Sequence, residues 1–452
     1  MAITQGGVKT TDVVQASSNS HASAHGSTPD VRRLYNFGDR VADLSPEESP
    51  FFVYLSKVSK VPTDDSVFRF LEDRSKIDWT SREFLIAGQP VGDVVAGTSY
   101  TFAVDTTGGA SVDWLIKGMV FAVATDAGHQ VIVRVDSSPT DVGSATNFQG
   151  KVISTSTTSG AGIAIANNDK CQVIGTAFAE GTGSPDVWSS EIEDNYGYTQ
   201  IFKTAAEMTN TAIATKYRGY ANEWQRVWAM KLREHKVDIE RAMLFSQKAR
   251  QGSVQYTEGL CGHILKNSTA QTAHGTALSY TSGQAYSRVE TQANLTYDLL
   301  LGDLEVLFDP ARGGSGDRLV LSSLPVITFF NKLGDGAFMD ASIGYGGASR
   351  YNFDSKDGAF GHKVMTIETI HGTLHLVKEP LFRGVSSGFM LFADMSKLAY
   401  RPLVGNGINR DTYITTNVQS DDEDLRKDMI LTEAGLEVTL PESHMMYVIS
   451  DL

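Results

Sequence analysis

The sequence predicts an α+β protein with a small all-β module set into it. Three observations predict this. Residues 91–185 hold strand-length apolar runs, separated by turn clusters, with no helical period. Residues 199–250 repeat apolar side chains at steps of three and four, the helical spacing. From residue 291 onward, amphipathic stretches of helix length mix with short strand-like runs.

The chain has 452 residues, enough to bury a large core without disulfides or metals. At about 150 residues per domain, roughly three domains are expected. The longest unbroken apolar run is Met119–Ala124. A membrane-spanning helix needs about 20 apolar residues, so no membrane partner is expected. No basic segment followed by an apolar stretch opens the chain, so no secretory signal is expected. Cys171 and Cys261 form no disulfide framework and suit a reducing compartment. Lys and Arg total 39 against 53 Asp and Glu, a net charge of −14. Such a surface does not coat nucleic acid as a whole, although a local basic patch can.

Residues 1–30 are rich in Ser, Thr, Gly, Ala, Gln and His and read as a flexible arm. In 31–90, Asp43-Leu44-Ser45-Pro46-Glu47-Glu48 looks like a capped helix start, followed by the aromatic block Phe51 to Leu55. Ser66 to Leu71 then alternates like a strand with one wet face. Residues 91–185 carry 4 basic and 8 acidic residues, and composition shifts at both ends, as for an inserted barrel or sandwich. Its strand-like runs lie at 98–104, 119–125, 129–135 and 171–178.

Residues 199–250 read as one helix about 80 Å long, with a bend near Arg218-Gly219. Residues 251–290 are a polar connection. Beyond 291, Tyr297 to Phe308 reads as a helix stopped by Asp309-Pro310, and Asp317 to Leu321 as a strand. A helix opened by Pro325 covers 324–332. Further strands are expected at 364–370, 372–377, 389–392, 435–440 and 445–449.

Catalytic chemistry finds little purchase. His371 and His375 have the spacing of a helical zinc pair, but TIHGTLHLV alternates like a strand. There, residues four apart lie about 13 Å from each other, too far to share a metal. Arg312-Gly313-Gly314-Ser315-Gly316-Asp317 lacks the lysine of a phosphate loop and precedes a strand. Asp421-Asp422-Glu423-Asp424 lacks the glycine and spaced ligands of a calcium loop. No nucleophile elbow or cysteine-protease signature is present. No enzyme, cofactor or metal is expected.

The one charged feature that stands out is residues 199–250, with 10 basic and 5 acidic residues, net +5 in a −14 chain. Lys216, Arg218, Arg226, Lys231, Arg233 and Lys236 do not form a single stripe at 100° per residue. Arg218, Arg226, Arg233 and Lys236 fall within about 80° and are the candidate subset for facing a polyanion, which the resemblance given below implies is DNA. The plain alternative is an exposed helix face whose cations pair with Glu223, Glu234, Asp238 and Glu240.

The order of segments resembles the major capsid proteins of tailed bacteriophages with the Hong Kong 97-type fold, closest to the SU-ten-like major head proteins. The likeness is carried by NYGYTQIFKTAAEMTNTA at 195–212, KVDIERAMLFSQKA at 236–249 and GLCGHI at 259–264. It continues in IETIHGTLHLVKEPLF at 367–382, GFMLFADMSKLAYRPL at 388–403 and LTEAGLEVTLPESHMMYVI at 431–449. It covers most of 190–452 and, more weakly, 31–90; the insertion at 91–185 departs from the minimal fold.

The resemblance implies an arm at 1–30, an N-terminal segment and the start of an extended loop at 31–90, and the inserted β module at 91–185. It implies a return strand, long spine helix and connection of the peripheral domain at 186–290. An axial domain at 291–395 and closing peripheral strands at 396–452 complete it. It implies a virion shell subunit, assembled in the host bacterial cytoplasm as hexamers and pentamers. The implied partners are scaffold, portal and decoration proteins, and packaged double-stranded DNA held by non-specific phosphate contacts. The second expectation is a phage tail, baseplate or surface-array protein whose β insertion is a binding module.

Overall fold

A computed structural model describes residues 22–23, 26–27, 50–58, 60–73, 82–88, 93–105, 112, 114–125, 128–142, 145–157, 162–189, 191–217, 222–268, 270–271, 285–309, 316–338, 353–357 and 363–452. The expected arm lies almost wholly outside them. Among the described residues the α-helices are α1 (Pro50–Val58), α2 (Asn210–Ala214), α3 (Glu223–Phe245), α4 (Leu260–Lys266), α5 (Tyr297–Leu307) and α6 (Leu324–Phe338). With the sheets below they make an α+β fold.

The largest sheet has eight strands, in the order Ala270–Gln271, Tyr286–Glu290, Met445–Ile449, Phe389–Ala393, Asp317–Ser322, Thr373–Lys378, Lys363–Glu368 and Phe353–Asp357. It is mixed: Asp317–Ser322 runs parallel to Thr373–Lys378 and antiparallel to Phe389–Ala393. Its central strands are buried on both faces, so their sequences are near-continuous apolar runs. Val320, Met390, Phe392, Met445 and Tyr447 pack with residues of α5 and α6. The alternate residues Leu319, Leu321, Leu391 and Met446 share a second core with Phe51 and Leu55 of α1 and with Ile239, Met243 and Leu244 of α3.

That second core is closed by a four-stranded antiparallel sheet built on Leu425–Val438. Gln200–Thr209 pairs along it from Gln200 opposite Ala434 to Thr209 opposite Leu425. Leu398–Pro402 and Tyr413–Thr415 pair with its other edge. The helix expected over 199–250 is therefore corrected. Residues 200–209 are a strand, α2 is a single short turn capped by the Thr209 hydroxyl, and the long helix is α3 alone. A spacing of four residues keeps one face in a strand as well as in a helix. The long-range ladder to 425–434 decides between the two, and no local pattern contains it.

From this body the chain leaves along Val67–Glu72 and returns along Glu193–Tyr198, a two-stranded antiparallel ribbon. At its root Phe68 fills the space a side chain would need at Gly435, where a Cβ would lie 2.7 Å from its ring and 2.5 Å from the Tyr198 carbonyl oxygen.

Between the two ribbon strands the chain builds a closed antiparallel barrel. Its six strands are Glu83–Gly88, Ser99–Asp105, Met119–Ala124, Gln130–Val135, Ala145–Thr155 and Lys170–Thr176. Ser99–Asp105 pairs with both Glu83–Gly88 and Ala145–Thr155, which closes the ring. Phe84, Phe102, Phe121 and Phe148 fill the interior with edge-to-face and stacked contacts. Two staves had no strand-like signal in the sequence. Ala145–Thr155 turns only Phe148 and Val152 into the barrel core, and a Cβ on its Gly150 would lie 2.7 Å from Val133 and 2.9 Å from Phe102. Glu83–Gly88 lies before residue 91, so the barrel begins earlier in the chain than the composition shift suggests.

Candidate nucleic-acid interface

Helix α3 carries three of the four candidate residues. Its N-terminus is capped by the Asn222 side-chain oxygen, which accepts the Gln225 N–H at 3.2 Å. Its C-terminal half buries His235, Ile239, Glu240, Met243 and Leu244, while its N-terminal half buries Trp224. Trp224 is covered in part by the Arg426 guanidinium, 4.7 Å above its ring.

His235 fixes the helix on the four-stranded sheet. Its Nδ1 lies 2.9 Å from the Thr204 hydroxyl and its Nε2 2.8 Å from the Thr432 hydroxyl, which in turn meets Thr412 at 2.8 Å. Burial holds the imidazole below its ordinary pKa. The face around His235 thus looks at the sheet and leaves Arg233 exposed.

Of the four candidate residues, the structure places three on α3. Arg226, Arg233 and Lys236 span about 80° of the helix. Arg218 lies outside the described residues, and α3 starts at Glu223, so the 100° rule does not extend to it. Arg226 is half-buried, with its Nε 2.9 and 3.0 Å from the two carboxylate oxygens of Glu223; that hydrogen bond holds Glu223 below its ordinary pKa. Lys236 is half-buried as well.

Lys231 and Arg241 pair with Glu234 and Asp238, both at 2.7 Å. Such i,i+3 pairs are each worth a few tenths of a kcal/mol, about 0.2–0.5, and partly neutralise the face.

The net +5 of residues 199–250 is consequently spread over several elements. Within α3, five basic and four acidic residues leave +1. Lys203 sits on Gln200–Thr209 on the opposite face from Thr204, and so points away from α3. Lys216 lies in the connection after α2, and Lys248 and Arg250 follow α3. Lys248 is held over the Tyr196 ring, 4.3 Å from its centroid.

The other sequence features resolve simply. His371 sits in the turn after Lys363–Glu368, and His375 in Thr373–Lys378, 3.9 Å from the Asp317 carboxylate. Among the described residues no three His, Cys, Asp or Glu are placed to hold a metal ion. Asp424 of the acidic run accepts the Asn210 side-chain amide at 2.5 Å, tying the loop to α2.

The sequence did not reveal three buried polar networks. Arg288 makes a two-pronged bond to Asp303, which also accepts the Tyr447 hydroxyl. Arg318 lies 3.4 Å from Asp394, whose N–H is accepted by His444 Nδ1 at 3.2 Å. Burial pushes His444 down to about 3. Glu240 and Glu379 meet beside α1. A charge inside an apolar strand run, as in YSRVE or DRLVL, is the signal that marks the first two.

A model of the SU10 major capsid protein family matches residues 10–451. No curated protein matches. Among solved structures, a chain of Microbacterium phage Oxtober96 aligns over 93% of this chain and 97% of its own, at 8% identity and a TM-score of 0.42. A chain of Mycobacterium phage Bobi aligns over 94% and 97%, at 6% identity and 0.42. The capsid of a native GTA particle aligns over 93% and 96%, at 7% identity and 0.41. The family match, which takes in nearly every residue, carries the assignment: the chain belongs to the SU10 major capsid protein family.

Proposed function

We propose that this major capsid protein builds the icosahedral shell of a tailed phage from hexamers and pentamers, around double-stranded DNA, with the Hong Kong 97-type arrangement. The observation that carries this is family membership over residues 10–451. It is a structural protein of the virion capsid and not an enzyme. The four-stranded sheet, α3 and α4 correspond to the peripheral domain, the eight-stranded sheet with α5 and α6 to the axial domain, and the ribbon at 67–72 and 193–198 to the extended loop. A two-stranded ribbon has little core of its own and gains stability from surfaces laid against it, which suits an arm reaching to neighbouring subunits. Assembly takes place in the host cytoplasm, with scaffold, portal and decoration proteins as partners. Sizing the purified protein tests the oligomer: masses of five and six subunits are expected, whereas trimers or simple rings would favour a tail or baseplate role.

DNA is met through α3 and its flanks, by phosphate contacts that are independent of sequence and weakened by salt. Among the described members of the set, Arg233 is the exposed one. Replacing Arg218, Arg226, Arg233 and Lys236 together by Gln is expected to leave shells intact and to lower the genome they retain, increasingly as salt rises. Equal retention by parent and variant across a salt series would make these side chains a solvated face only.

A further inference from the structure

Glu240 and Glu379 bring two carboxyl groups together where three elements converge. Glu240 belongs to α3, and Glu379 follows strand Thr373–Lys378. Both are buried, at 0% and 2% exposure. One oxygen of each is satisfied by backbone. Glu240 Oε1 accepts the Phe51 N–H at 2.7 Å and the Phe52 N–H at 3.3 Å, both from the first turn of α1. Glu379 Oε1 accepts the Leu381 N–H at 3.1 Å. The second oxygen of each, Oε2, is fully buried and has no hydrogen-bond partner while both groups are carboxylates. The two carboxyl groups act on one another across the core.

Among the described residues, the groups that act on the pair are the backbone amides of Phe51, Phe52 and Leu381 and, from α4, the Cys261 thiol. None is a cation. Two bare carboxylates in this setting would repel each other without compensation. A proton on one, donated to an oxygen of the other, removes the repulsion and satisfies both buried oxygens.

We propose that Glu240 and Glu379 share a retained proton and act as a clamp that docks α1 on α3, and that losing this proton undocks α1 while both sheets stay folded. Phe51 and Leu55 of α1 are fully buried in the same core, so undocking exposes them together. Burial, then the facing carboxyl, pushes Glu240 up, and burial pushes Glu379 up. Both folded values stand above the ordinary 4.5. The stabilisation is therefore complete below about 4.5 and is lost as pH rises through the folded values. Across neutral pH the equilibrium constant for undocking should rise about tenfold per pH unit for each proton released.

Hydrogen exchange at the Phe51 and Phe52 amides of the full-length, unassembled subunit tests this between pH 6 and 8. After division by the intrinsic rate, parent exchange should still rise about tenfold or more per pH unit. In Glu240→Gln the amide supplies the bridging hydrogen at every pH and one titrating group is gone, so the corrected rate should rise clearly less steeply than in the parent. Glu379→Gln should behave alike and serves if the first variant does not fold. Amides of Leu425–Val438 should show no such rise in any protein. A flat corrected rate in the parent, or an undiminished rise in the Gln variants, overturns the proposal.

Discussion

Asp303→Ala should destabilise the subunit by about 3–5 kcal/mol, the cost of leaving a buried charge without its partner. Arg288, Asp303 and Tyr447 are all completely buried in the eight-stranded sheet and α5. Asp303 receives the Arg288 guanidinium through two nitrogens, one at 2.6 Å, and the Tyr447 hydroxyl on the same carboxylate. Burial, and after it the Asp303 charge, push the Tyr447 hydroxyl well above its ordinary pKa, so it stays protonated and donates. Removing the carboxylate takes the two-pronged partner from the guanidinium, with Glu290 3.9 Å away, and the acceptor from the Tyr447 hydroxyl. At about 2–4 °C per kcal/mol for a domain of this size, the melting temperature should fall by about 10 °C. A loss below about 1 kcal/mol in the purified subunit would show that water or a rearranged partner replaces Asp303.

Phe121→Ala in the barrel should cost about 3–5 kcal/mol, the range for deleting a buried aromatic side chain. Its ring lies 5.2 Å from Phe84, 5.8 Å from Phe102 and 5.6 Å from Phe148, so the cavity opens at the centre of the aromatic cluster. The barrel core has its own residues and shares none with the two other cores. The effect is expected to stay local. Hydrogen exchange should rise across 83–176 while Leu425–Val438 keeps its protection. A separately expressed piece of chain spanning 82–178 should fold, and one starting at 91 should not, because it lacks the stave Glu83–Gly88 that closes the ring. Simultaneous loss of protection in the barrel and the four-stranded sheet would contradict a separate module.

The sequence made the α+β class, the barrel region and most central strands legible because their signals are local. Asp317–Ser322, Phe389–Ala393 and Met445–Ile449 announce themselves as short, dense apolar runs. Tyr297–Leu307 does so by period and by its Asp309-Pro310 stop. Gln200–Thr209 was hidden for the opposite reason. Its alternate positions are Phe202, Thr204, Ala206 and Met208 on one side and Ile201, Lys203, Ala205 and Glu207 on the other, so neither side is cleanly apolar. Its identity as a strand rests on a partner more than 200 residues away. The candidate interface was legible as a charge excess but not as a surface. Breaking the presumed helix at α2 separates Lys203 and Lys216 from α3, and Glu223, Glu234 and Asp238 claim three of its cations. The buried pairs Glu240–Glu379 and Arg288–Asp303 join residues distant in the chain or facing only inside the fold, and no spacing rule reaches them.

Imaging the expressed protein by negative-stain electron microscopy, alone and together with its phage's scaffold, shows whether it is a shell subunit. Closed shells built of six-fold and five-fold capsomers are predicted. A monodisperse monomer at high concentration under both conditions, or tubes and rings without five-fold closure, would contradict the assignment of this chain as the subunit of an icosahedral shell.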